Sequence, residues 1–373
     1  MKAKQTHIAS LVSYKILPPV LGGQKGIGLF NKYIARHVPF TCITTQNNDP
    51  AAADGYEVLN ILSNAPSRYI NVFYFFTIRK LIRQWKITHL ILEHPYYGWL
   101  GLLLKWFARV PLVVHSHNIE GLRWKMLGKW WWKLLWYYEK KVHQQADYNF
   151  FIQDSDREYA IQHFRLQPSR CIAITFGIEW QTPPTPEEKE KNRQTLLQRH
   201  NIPANHCLLL FNGAFQYAPN VNGLERILRE INPLLQKDPD FKYTILICGA
   251  SIPAAISAQS WPNVIIAGFV DDITTYFKGA DIFLNPITEG GGIKTKLVEA
   301  LGYNMNAVSS VHGAIGIDPS ICNSKLQITD DALTGFAEKV MQLATYKEDI
   351  SPAFYEHFYW GNIARKAVHF INA

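Results

Sequence analysis

The chain is poor in charge, methionine and cysteine. Asp, Glu, Lys and Arg make up 18% of its 373 residues, below the ~25% of an ordinary soluble protein. Hydrophobic residues reach 47% and aromatic ones 13%, which excludes intrinsic disorder and supplies packed cores. Long apolar runs are missing. None approaches the ~20 residues of a membrane span, and the opening MKAKQTHIASLVS is too polar for a signal peptide. Five cysteines, Cys42, Cys171, Cys207, Cys248 and Cys322, are odd in number and far apart. With no CxxC or Cys/His spacing, they read as free thiols of a reducing compartment. A cytoplasmic protein is expected.

The charge that is present is unbalanced. The net +8 favours an anionic partner. Between Arg123 and Lys141 six Lys/Arg stand against the single acid Glu139, interleaved with five tryptophans. As one helix over 122–145, this segment would either bury its tryptophans in a core or lie on an anionic membrane surface. Trp124, Trp131, Trp132 and Tyr138 share a face; Trp130 and Trp136 fall off it. The expected location thus includes a peripheral position on the inner face of a membrane. No RNP-like motif, zinc-finger spacing or basic helix-turn-helix accompanies the cations, so nucleic acid is not an expected partner.

Short apolar runs alternate with helical patterns. Strands are expected at 7–13, 40–44, 89–92, 112–115, 148–152 and 171–174, then at 207–211, 243–248, 264–267, 281–284 and 307–310. Helices are expected at 70–85, 99–108, 122–145, 222–235, 273–278 and 294–301. Such alternation predicts an α/β protein with parallel sheets. It breaks once, at the proline-rich and then charged segment 179–205, a linker by composition. Two doubly wound, Rossmann-like domains are expected, 1–178 and 206–351, facing each other across a cleft. A final helix, 352–373, would pack back on the first.

Three regions carry chemistry. LPPVLGGQKGIGLF (17–30) follows a strand and opens a helix near Ile27, and its Gly22 and Gly23 permit close approach of a ligand. It lacks G-x-G-x-x-G and a following acidic ribose partner, which argues against a dinucleotide oxidoreductase. LILEHPYYG and PLVVHSHNIE place Glu93, His94, His115, His117 and Asn118 at strand C-terminal ends, where open α/β sheets bind ligands. Two apart, His115 and His117 are expected to point differently. A zinc site on His94, His115 and His117 lacks helical HExxH spacing and cysteines, and no metal is expected. Finally, 281–310 reads strand, three glycines, helix, strand. Lys294 and Lys296 would occupy the first helical turn, where the helix dipole disfavours cations unless an anion offsets them.

In order along the chain, several motifs resemble the retaining glycosyltransferases of family 4, with the GT-B fold. They are PP-x-x-GG at 18–23, HSHNIE, the aromatic helix ending YYEKK, and AD at 146–147. FNGAFQYAPNVNGL (211–224), GFVDD (268–272), ADIFLNP (280–286) and GGGIKTKLVEAL (290–301) complete the series. The resemblance implies transfer of a sugar from a UDP- or GDP-linked donor to an acceptor hydroxyl, with retention and no cofactor. It implies a role in cell-surface polysaccharide or glycolipid synthesis, with a glycan or glycolipid acceptor.

The donor would lie in the second domain, at Gly213, Glu289, Gly290, Gly291, Gly292 and Glu299, and the acceptor in the first. Glu299 matches the ribose-binding glutamate, and His117 the histidine that contacts the donor sugar. Gly22 and Gly23 match the loop that approaches the donor phosphates. Glu93, His94, His115 and Asn118 would lie on the acceptor side. The family's first motif glutamate is replaced by Gly291, with Glu289 displaced by two, and its Arg/Lys pair by Ala214 and Asn220. Lys294 and Lys296 are the substitutes, as in the GGG-x-K-x-K subset. A nucleotide-sugar epimerase and a non-catalytic nucleotide-sugar-binding subunit are the alternatives.

Overall fold

A computed structural model describes residues 6–19 and 22–373. The chain divides into two compact units, one of 1–177 with 360–373 and one of 178–359. Among the described residues no helix is long and apolar enough to cross a membrane.

The first unit holds seven parallel strands. These are β1 (Ile8–Val12), β2 (Phe40–Thr45), β3 (Glu57–Leu62), β4 (His89–Glu93), β5 (Leu112–Ser116), β6 (Tyr148–Phe151) and β7 (Cys171–Ala173), in the order β3-β2-β1-β4-β5-β6-β7. The central strands are buried along their length, because a parallel sheet with helices on both faces leaves no polar side. The order reverses between β1 and β4, which opens a crevice at their C-terminal ends.

The second unit holds six: β8 (Cys207–Asn212), β9 (Tyr243–Cys248), β10 (Val264–Gly268), β11 (Ile282–Asn285), β12 (Asn306–Ser310) and β13 (Leu326–Thr329). Their order is β10-β9-β8-β11-β12-β13, all parallel, with the reversal at β8 and β11. At the end of β9, Gly249 (φ +145°) lies so near β8 that a Cβ there would come within 1.7 Å of the Gly213 carbonyl oxygen. The two strand ends can meet only through a glycine.

Several expectations need correction. Residues 179–205 are not a linker. They belong to the second unit and contain the helix Pro186–His200, started by a Thr185–Glu188 capping box. This helix packs on Ile273–Gly279 through the bare Gly279, whose Cβ would lie 2.8 Å from the Asn192 backbone. The final segment is two helices. Pro352–Phe358 stays in the second unit, and the chain extends at Tyr359 to bridge Ile178. Only Trp360–Asn372 returns, with Trp360 against Phe30 and Phe176. The tryptophan segment also divides, into Glu120–Met126 and Trp132–Gln145. Gly128 between them is left-handed (φ +69°), which ends a helix.

Candidate functional site

In the first unit the crevice gathers side chains from three strand ends. β4 finishes at Glu93, which is buried and flanked by two imidazoles. His115 Nδ1 lies 3.2 Å from one carboxylate oxygen, and His117 Nε2 2.7 Å from the other. The expectation that these histidines diverge is wrong. Residues i and i+2 of a strand point to the same face, and the rings stand 4.6 Å apart.

His94, next along from Glu93, adopts φ +69°. That left-handed turn is costly for a non-glycine residue. It is held by a backbone bond from His94 N–H to His115 C=O, and it stacks the imidazole 4.5 Å from His117. Tyr14, beyond β1, lies 3.0 Å from His94 Nε2, and Glu120 3.3 Å from Nδ1. Glu120 also accepts from Tyr96 at 2.6 Å and Arg123 at 3.2 Å.

Burial opposes ionisation of Glu93, but His115 and His117 outweigh it and hold the carboxyl below its ordinary range. Burial also lowers His115 and His94. Glu93 is thus the charged member of the pair it forms with His115. With His117 Nε2 donating to Glu93, its Nδ1 makes no hydrogen bond among the described residues and is placed to meet a ligand hydroxyl. Asn118 is half-buried beside it. The three ligand atoms of Glu93, His115 and His117 lie within 4.8 Å of one another and could hold a metal ion. This trio differs from the three histidines weighed on sequence: His94 is turned toward Glu120.

Gly22 and Gly23 do not lie in a loop that ends near Ile27; they form the exposed first turn of a helix spanning Gly22–Ala35. That turn carries no acidic residue, and the positive end of the helix dipole there favours an anion.

In the second unit the loop after β11 leads to the helix Thr295–Gly302. Gly290 is left-handed (φ +85°), and a Cβ on it would lie 2.3 Å from the Tyr217 hydroxyl oxygen. Gly292 is left-handed too, and Gly291 is exposed. Lys294 occupies the N-cap, one residue before the helical turn expected for it, and donates to the carbonyls of Gly290 and Gly292, each at 3.0 Å. Lys296 is half-buried and makes no hydrogen bond or ion pair among the described residues.

Burial pushes both lysines down to about 8, and Glu299 opposes this at Lys296. Glu299 is half-buried on the same helix. Glu289 is exposed, and its carboxylate accepts from Asn222. At the end of β8, Asn220 donates to the Ala214 carbonyl at 2.8 Å, beside Gly213, so these two positions close the turn.

Sequence reasoning missed Tyr14, Tyr96, Arg123 and His312, whose Nε2 lies 2.7 Å from the Gly290 carbonyl oxygen. Only Tyr14 had a signal, its place just past β1. Two Asp-x-Asp spacings are bound up in local structure. Asp154 and Asp156 open the helix Asp154–Tyr159, and Asp238 caps its own turn at Asp240.

Two family models match the chain. The one described as Glycosyl transferases group 1 covers residues 206–345, and Glycosyltransferase Family 4 covers 29–180. An uncharacterized 44.6 kDa protein in the cps region of Klebsiella pneumoniae is 27% identical over 154 residues. That match spans 39% of this chain and 38% of the relative's length. A glycosyltransferase from Rickettsia africae has a TM-score of 0.72 at 12% identity, covering 98% of each chain. Anabaena HepE, solved in complex with UDP and glucose, has a TM-score of 0.67 at 15% identity, covering 99% of this chain and 100% of that one. Each unit thus matches a glycosyltransferase model over most of its length, and the chain has the two-domain GT-B fold of the solved glycosyltransferases.

Removing the Glu93 carboxylate leaves a buried imidazole, His115, and a half-buried one, His117, without their acceptor. Glu93→Ala is expected to cost about 2–6 kcal/mol of stability, about 1–3 for each ring N–H left without an acceptor, and Glu93→Gln, which keeps an acceptor oxygen, about 1–3 kcal/mol. Urea denaturation measures both; equal, small losses would contradict the role given to the charge.

Proposed function

We propose that the chain transfers a sugar from a nucleotide-diphosphate sugar to an acceptor hydroxyl with retention. The carrying observation is the pair of half-buried lysines at the N-terminus of Thr295–Gly302, beside a loop of three glycines. Lys296, the backbone N–H groups and the helix dipole offer positive charge where a diphosphate would leave. Lys294 shapes the loop and would add its own charge. On this reading no metal is needed, as expected for the GGG-x-K-x-K subset.

The bond between the anomeric carbon and the diphosphate oxygen breaks. The acceptor oxygen bonds the same face of that carbon, and its proton passes to the leaving phosphate. Nucleoside diphosphate and glycoside are the products. Glu299 would hold the ribose, and His117 Nδ1 would accept from a donor-sugar hydroxyl. Gly22 and Gly23 would approach the phosphates, with Glu93, His94, His115 and Asn118 on the acceptor side. Glu289, tied to Asn222, would buttress the glycine loop. UDP is the first nucleotide to test, since the Anabaena relative was solved with it. The acceptor would be a glycan or glycolipid of a cell-surface polymer, and the Klebsiella relative's cps region agrees with that choice.

A membrane surface fits the same reading. At the tip between Glu120–Met126 and Trp132–Gln145, Met126, Leu127, Trp130 and Leu134 are more than half exposed, Trp130 at 89%. Lys125, Lys129 and Lys133 stand exposed among them. Apolar groups ringed by lysines suit an anionic bilayer on the cytoplasmic side.

With UDP- and GDP-sugars and lipid acceptors, Lys294→Ala with Lys296→Ala is expected to cut transfer about 10²–10³-fold. Near-normal transfer would overturn the charge role, while an isomerised donor would point to an epimerase instead. The free lysines lose protons as pH rises through about 8, and a diphosphate binds their protonated forms. Calorimetric donor affinity should therefore fall by up to about tenfold per pH unit per lysine above that point; a flat profile would refute the linkage. The protein should float with anionic liposomes at low salt, and Trp130→Ala with Leu134→Ala should leave it at the bottom of the gradient. Recovery of the unaltered protein in the soluble fraction would sink the membrane reading.

A further inference from the structure

The second unit has a cavity of about 940 Å³ whose lining includes residues at the N-terminal edge of its sheet. His206, Lys242, Asp281 and Lys325 immediately precede β8, β9, β11 and β13. The glycine loop lies at the C-terminal ends of the same strands, so the cavity is separate from the donor region. Its lining is rich in cations. Arg193 is neutralised by Asp281 at 2.5 Å and Lys278 by Glu188 at 3.0 Å. Lys189, Lys325 and Lys347 have no carboxylate within ion-pair distance among the described residues.

Lys189 and Lys325 converge on one atom. Both donate to the Asn304 carbonyl, at 3.0 and 3.1 Å, and Lys325 also donates to the Asn306 side-chain oxygen at 3.1 Å. Lys325 is only 3% exposed. An ammonium group has three donors, so the protonated pair retains three N–H groups with no acceptor among the described residues. Asp349 also lines the cavity and draws on both ammonium groups, but it stands beyond ion-pair distance of each and one of its oxygens accepts from the Asn304 amide at 2.5 Å. Two like charges on one carbonyl repel each other unless an anion joins them.

We propose that this cavity binds a small, soluble phosphorylated molecule, with Lys189, Lys325 and Lys347 around its phosphoryl group. Three phosphoryl oxygens match the three unused donors, and the volume lies within the range of small-molecule sites. Burial lowers Lys325 to about 7, with Lys189 and Lys347 acting in the same direction and Asp349 against; a bound anion would reverse that strain on the charge. A bilayer headgroup is disfavoured because Lys325 lies beneath the surface.

The test uses the full chain with Lys294→Ala and Lys296→Ala, which silences the glycine loop. Calorimetric titration with inorganic phosphate, at constant ionic strength against chloride, is expected to show binding. Adding Lys189→Gln, half-buried, and Lys347→Gln, exposed, should weaken it about tenfold or more, while a cooperative thermal transition in chloride checks that the fold is kept. Glucose 6-phosphate should displace the phosphate. No binding in the Lys294/Lys296 background, or binding indifferent to Lys189→Gln and Lys347→Gln, would overturn the site. Displacement by phosphatidic acid vesicles but not by glucose 6-phosphate would overturn the soluble ligand.

Discussion

The reversal of strand order is the constraint from which both candidate regions follow. β1 in the first unit and β8 in the second each stand beside a strand formed much later in the chain. The connections on either side of such a strand run in opposite directions, so the helices part at its C-terminal end. The opening is bordered by strand ends and helix N-termini. Backbone N–H groups there are unsatisfied, and the first turns are short of acids: none occurs in that of Gly22–Ala35 or Thr295–Gly302. What the topology leaves open is therefore anion-seeking by default, and side chains only adjust it.

The two units adjust it with opposite signs. In the first, two buried carboxylates, Glu93 and Glu120, stand among imidazoles, and their ionisation sets which ring nitrogens donate and which accept. A hydroxyl-rich ligand meets hydrogen-bonding atoms of fixed polarity there. In the second, the charges are ammonium groups, and the nearby carbonyls of Gly290 and Gly292 hold only one of them. Holding Lys294 this way keeps Gly290 and Gly292 in left-handed turns that expose the loop backbone. Lys296, with no such anchor, keeps its charge available. The two lysines look alike in sequence and differ in what they can do.

The alternation of apolar runs with helical patterns made both sheets legible, since central parallel strands such as YTILIC and HLILE are apolar on both faces. The strands not expected, β3 and β13, are edges. EVLNIL and LQIT are partly exposed and carry polar residues, so composition did not separate them from loops. Helix breaks at Gly128 and Tyr359 were hidden for another reason. Each depends on a tertiary partner or a single backbone conformation, and helical periodicity runs on across both. In the site, Glu93, His115 and His117 could be placed at strand ends. Their convergence on one carboxylate could not, because it depends on the register of β4 against β5, which pairs Glu93 with His115.

The N-terminal edge of the second sheet is where the opposite rule should hold. A helix that returns to a parallel sheet ends there, and its C-terminal carbonyls favour cations. A lysine near Asn304, just beyond the end of Thr295–Gly302, would need no other explanation. One ammonium group satisfies that end. The second, on the same carbonyl oxygen, gains little from a dipole already offset and bears the repulsion of the first. Arg193 and Lys278 on the same rim show the usual remedy, since each has a carboxylate. Lys189 and Lys325 have only the more distant Asp349 while facing a large cavity, so an anion held inside it would complete the offset and keep both ammonium groups protonated.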